Sequence, residues 1–111
     1  MTSGDLDPQR AVDFLRDNAP IVAKAKGQRV YLEQFLKSKK ALLMRESGAG
    51  SVAAQEVAAL AHEDYIALIA ALGDASEEEE RLRWLMVAAQ ARIEVWRSLE
   101  ASNRAIDRGA R

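Results

Sequence analysis

From Tyr65 to Trp96 one series of positions advances in alternating steps of three and four: Tyr65, Leu68, Leu72, Ala75, Glu79, Leu82, Met86, Ala89, Ile93 and Trp96. A strand repeats every two residues and a loop has no period, so this spacing requires a helix that keeps one face against a neighbouring helix. Gly73-Asp74 has the chemistry of a turn, and Ser76 to Glu79 fits a capping box that would open a new helix. The phase nevertheless survives Gly73, which predicts a single long helix, bent there if anywhere. Glu79 occupies a nominally apolar position. Either the acidic run emerges from the pairing region or the helix is interrupted at that point.

The preceding sequence is helical as well. Asp7 before Pro8 reads as an N-cap with proline at the first helical position, and Ala11, Val12, Phe14 and Leu15 give a short amphipathic helix ending near Asn18. Pro20 disfavours helical geometry at Ala19, so a bend is expected there, with a second helix from Ile21 to Glu46. Its apolar set is Val22, Ala25, Leu32, Phe35, Leu36, Leu42 and Leu43. "SGAGS", residues 47 to 51, supplies a stop and a new N-cap at Ser51, and a third helix follows through Leu60. The last helix is expected to fray near Asp107 to Gly109. The fold class that follows is all-α: a long antiparallel helical hairpin, coiled-coil-like, with one or two shorter helices. Residues 7–108 form a single helical domain in this reading, with disordered ends at 1–6 and 109–111. Of the 49% apolar residues, 21 are alanines, so large core anchors are scarce.

The net charge of −1 hides a strong polarisation. Residues 20–47 carry seven Lys or Arg against two Glu, residues 48–80 carry no cation against eight acids, and residues 81–111 carry seven Arg against three acids. Cations on two helices could follow a phosphate backbone, and Lys37, Lys39, Lys40, Arg83, Trp84, Arg92 and Arg97 are the candidate nucleic-acid-binding residues. The preferred account is a solvated or internally paired face, because the overall basicity of a nucleic-acid binder is missing.

Little else points to chemistry. His62 is the single histidine, and Glu63 and Asp64 at the next two positions point away from its helical face, so a helix-start role is expected for these acids rather than a metal site. "GAGS" lacks the Lys-Ser/Thr of a phosphate loop, and the carboxylates of "SEEEE", residues 76 to 80, diverge around a helix, which suits a solvated helix start. The serines sit at breaks or on polar faces, and no nucleophile, cofactor site or enzyme activity is expected. Trp96 falls in the periodic stripe and is expected in the core, whereas Trp84 is the better candidate for an oligomer or partner contact. There is no cysteine, and no stretch long and apolar enough for a membrane span, so a soluble protein is expected.

Tyr31-Leu32, Lys37-Ser38-Lys39-Lys40-Ala41, Tyr65, Leu82-Arg83-Trp84, Ala88-Ala89-Gln90-Ala91-Arg92 and Trp96-Arg97 together resemble a family of small all-helical proteins encoded by tailed phages and prophages. The likeness runs from about Asp7 onward. It implies association with replication and recombination modules, in the host cytoplasm, but assigns no functional residue. The expectation is a non-enzymatic interaction or accessory protein acting through a homo-oligomer or a phage or host protein partner. The alternatives are direct binding of nucleic acid, a virion structural part, or an inhibitor of a host system.

Overall fold

The structure, a computed structural model, describes residues 7–109, and every regular element among them is helical. Three helices follow one another: α1 (Pro8–Glu46), α2 (Val52–Leu60) and α3 (Glu63–Gly109). The terminal segments expected to be disordered, residues 1–6 and 110–111, lie outside the described residues, and Asp107 to Gly109 are helical.

Asp7 caps α1 as its chemistry suggests, its Oδ1 accepting from the amides of Gln9 at 3.0 Å and Arg10 at 3.5 Å. The expected end of a short first helix near Asn18 is not found: α1 is one continuous helix that passes through Pro20. Proline removes one backbone hydrogen bond, to the carbonyl of Arg16, and residues 16, 19 and 20 are all exposed, so solvent can take the place of the missing donor. The helix continues because its seam does. Ala11, Leu15, Asn18, Val22, Ala25, Arg29, Leu32, Leu36, Lys39 and Leu43 alternate steps of four and three, and each is buried or half-buried. That seam differs from the set expected from apolarity alone: Phe35 and Leu42 are exposed, and Arg29 and Lys39 stand in the seam instead.

α1 ends in a turn built by Ser47, whose hydroxyl donates to the Met44 carbonyl at 2.8 Å and accepts from the Ala49 amide at 3.2 Å. Gly48 follows with φ +72°, a left-handed conformation that glycine adopts without strain. Ser51 then caps α2, accepting from the Ala54 amide at 3.1 Å. His62 starts α3: its Nδ1 accepts from the Asp64 amide at 3.0 Å, and its carbonyl accepts from Ile66 at 3.1 Å. Glu63 and Asp64 fall in the first turn, as expected of acids at the positive end of a helix.

α3 runs unbroken across Gly73, so "SEEEE" lies inside a helix and is not a helix start. Of the stripe positions from Tyr65 onward all are buried or half-buried except Trp96, which is 38% exposed. Its expected core role is overturned because, from Glu94 to Gly109, only Glu100 is even half-buried and the seam there has little to pack on.

The architecture is an all-α helical hairpin of two long helices with one short helix in the connection. The chain divides into two compact units, one formed by Ala23–Glu80, the other by the start of α1 up to Val22 with α3 from Arg81 onward. In the Ala23–Glu80 unit, Leu32, Leu43 and Ala59 are buried, and the helices run antiparallel: Arg29 meets Glu79, while Lys39, further along α1, meets Asp64, further back on α3. In the other unit Ala11, Leu82 and Ala89 are buried. Both cores are small among the described residues, and three of the six buried side chains are alanine, which buries little apolar area.

Candidate functional site

Two kinds of feature compete for a role: charged clusters and exposed apolar surface. Charge comes first, since sequence pointed there. Arg29 Nε and Nη2 close a two-pronged hydrogen bond on the Glu79 carboxylate, the second at 3.3 Å, while Nη1 reaches Glu33 at 2.8 Å. Hydrogen bonding to Arg29 holds the Glu79 carboxyl below the usual carboxylate range despite desolvation, and the pair drives the Arg29 guanidinium further up. Neither alternative raised by Glu79 in a seam position holds. The carboxylate stays in the seam because a cation from the facing helix neutralises it there.

Lys40 donates to Glu56 of α2 at 2.8 Å, which raises the Lys40 amine and lowers the Glu56 carboxyl. Lys39 lies 3.6 Å from Asp64 at the start of α3. Lys37 is exposed and has no carboxylate partner among the described residues; with Gln34, Leu36, Tyr65 and Leu72 it lines an open cleft of about 370 Å³. Two of the three lysines proposed for nucleic acid therefore meet the chain's own acidic segment.

The other four candidates lie in the second unit, all on α3. The Arg83 guanidinium sits 5.2 Å over the Trp84 ring, which is 58% exposed. Arg97 pairs with Glu94 at 3.1 Å on a solvated face. Arg92 is exposed with no ion pair among the described residues. Arg83, Trp84, Arg92 and Arg97 thus share a helix, but Arg97 is committed to a neighbour and lies well round the helix from Trp84. Among the described residues no group of three or more His, Asp or Glu is placed to hold a metal ion, and no helix is long and apolar enough to cross a membrane.

The sequence reading missed the extent of the second feature. Large apolar side chains stand in solvent on every helix: Tyr31 and Phe35 stack with ring centroids 5.9 Å apart on α1, Val52 and Val57 project from α2, and Ile66, Trp84, Leu99 and Ile106 project from α3. A signal for the last group was present, because α3 has apolar residues on a second line, roughly opposite its seam. A soluble chain seldom leaves apolar faces of this extent uncovered, and where it does they mark contacts with other molecules.

The fold and this surface define a helical hairpin with more apolar face than its own core can use. No protein family, curated relative or solved structure matches the chain.

Proposed function

We propose that this chain is a non-enzymatic helical interaction protein, which works by burying its exposed apolar helix faces against another protein chain. The observation that carries the reading is the imbalance, among the described residues, between six buried core side chains, three of them alanine, and large apolar residues left exposed on all three helices. The resemblance to small helical phage proteins supports placing it in phage replication or recombination, in the cytoplasm of the host. The test is the size of the tagged full chain in a native cell extract. The reading predicts a species well above 12.2 kDa, and a chain that migrates as a free monomer there contradicts it.

A second reading, direct nucleic-acid binding, has one observation in its favour: Trp84 is exposed beside the Arg83 guanidinium, a pairing suited to stacking on bases. It is the weaker one. Lys39, Lys40 and Arg97 already have carboxylate partners, and a phosphate backbone would have to displace them. Titration with labelled single and double strands at low and moderate salt decides it, since binding through several cations must weaken steeply as salt rises.

A further inference from the structure

The open cleft of about 370 Å³ lies wholly within the Ala23–Glu80 unit, and its two banks differ in chemistry. α3 contributes Tyr65 and Leu72. Ile69, one helical turn from each and about 40° round the helix from Tyr65, extends that apolar bank into solvent at 49% exposure. α1 contributes Leu36 from the seam and, beside it, Glu33, Lys37 and Lys40. The charges on this bank are not equivalent. Glu33 is bonded to Arg29 and Lys40 to Glu56, each at 2.8 Å, so both are neutralised within the unit. Lys37 is exposed and has no ion pair among the described residues, because Arg29 holds the carboxylate one turn before it. The cleft sets an uncommitted cation across from an apolar bank.

Size limits what enters. The lining residues span about two helical turns on each bank, a length of about 10 Å. Spread over that length, the volume leaves a section on the order of 40 Å², too narrow for a helix of about 10–12 Å diameter and sufficient for one aromatic ring. Charge limits it further. A cation would meet Lys37 as a like charge, and a neutral group would take water from the ammonium without replacing its hydrogen bonds. A nucleic-acid strand offers a ring and an anion too, but its further phosphates would meet a unit with ten acids against seven cations. A peptide can place its anion at Lys37 alone.

From this we infer that the cleft between α1 and α3 is a docking site for a partner protein that presents an aromatic side chain with a carboxylate beside it. The ring lies against Tyr65, Ile69 and Leu72, and the carboxylate of the neighbouring aspartate or glutamate accepts from the Lys37 ammonium. The inference rests on the interaction reading above and adds to it the chemistry of the partner at one site.

Selection of random decapeptides on the purified full chain tests this without a known partner. Recovered sequences should place an aromatic residue within one or two positions of Asp or Glu. A labelled peptide of the recovered consensus should bind the Lys37→Glu chain about tenfold more weakly, and the Ile69→Ala chain more weakly as well, while Lys37→Arg stays near wild type. Lys24→Glu should bind as the wild type does, since Lys24 is exposed without an ion pair among the described residues and lies about 140° round α1 from Lys37. Lys37 and Ile69 stand in solvent, and circular dichroism checks that each variant keeps its helicity. Recovery of no peptide, of peptides without the acid, or of peptides that bind Lys37→Glu as well as wild type overturns the inference. So does labelled single-stranded DNA that binds in place of peptide and is lost in Lys37→Glu, which puts nucleic acid in the cleft, or self-association lost in the same variant with no peptide recovered, which puts a second copy there. A failed selection while the extract still holds a larger complex removes this site and leaves the interaction reading standing; a free monomer in the extract removes that reading and this inference with it.

Discussion

Arg29 of α1 and Glu79 of α3 are hydrogen-bonded across the seam, each standing where the helical repeat calls for an apolar side chain. A charged layer inside a largely apolar seam is weak evidence for stability and better evidence for register, because any slip takes Glu79 away from the cation that neutralises it. The Arg29→Leu variant should lower the melting temperature more than Glu79→Leu does. The first leaves the part-buried Glu79 carboxylate without its hydrogen-bond donor, whereas the second leaves Arg29 still bonded to Glu33. The double Leu variant should recover most of the loss, and thermal melts followed by circular dichroism at neutral pH give all three values.

The same pair sets a pH dependence. Glu79 and Glu56 both have carboxyls held below their usual range by a bonded cation. Folding therefore gains from their ionised forms above the ordinary carboxylate pKa, and loses that gain as pH falls through the lowered folded values. Acid titration of the wild type should show stability falling below about pH 4, and Glu79→Gln should flatten that limb. The Lys40 amine, raised by Glu56, makes the opposite contribution, which is lost as pH rises beyond about 10.5.

Burial separates side chains that hydropathy treats alike. Leu43→Ala should cost about 2–5 kcal/mol, because Leu43 is 5% exposed in the seam. Phe35→Ala and Leu42→Ala should cost clearly less, about 1 kcal/mol, since both residues already face solvent over more than a third of their surface. Urea unfolding of the three variants ranks them. A Phe35→Ala loss equal to that of Leu43→Ala would contradict the assigned face.

These particulars show how far the sequence could be read. α3 was legible across Gly73 because its spacing never changed phase, and Ser51 announced the start of α2 because capping chemistry is local. α1 was misread twice for physical reasons. Pro20 outweighed a seam that continues through it, and apolarity selected Phe35 and Leu42 when the repeat in fact passes through Arg29 and Lys39. A charge in a seam is visible from one helix only as an anomaly, and its partner on the other helix turns it into a contact. The candidate surface was half legible: Trp84 stood out, but a second apolar line becomes meaningful only once α1 is known to cover the first.

Gly27 within α1 and Gly48 just beyond its end should respond in opposite directions. Gly27 lies inside the helix with open space where a Cβ would go, so Gly27→Ala should stabilise by about 0.5–1 kcal/mol. Gly48 has the same open space but a φ of +72°, so Gly48→Ala should destabilise by about 1–2 kcal/mol through backbone strain alone. Denaturant midpoints of the two variants are sufficient to read the signs.

The most direct test of the account is the native size of the tagged full chain in a cell extract at moderate salt, beside that of its Trp84→Glu variant. Trp84 is exposed, and circular dichroism of the purified variant checks that helicity is retained. The prediction is a wild-type species well above 12.2 kDa and a variant shifted toward 12.2 kDa. A wild-type chain that migrates as a free monomer, or a variant held in as large a species as the wild type, would contradict it.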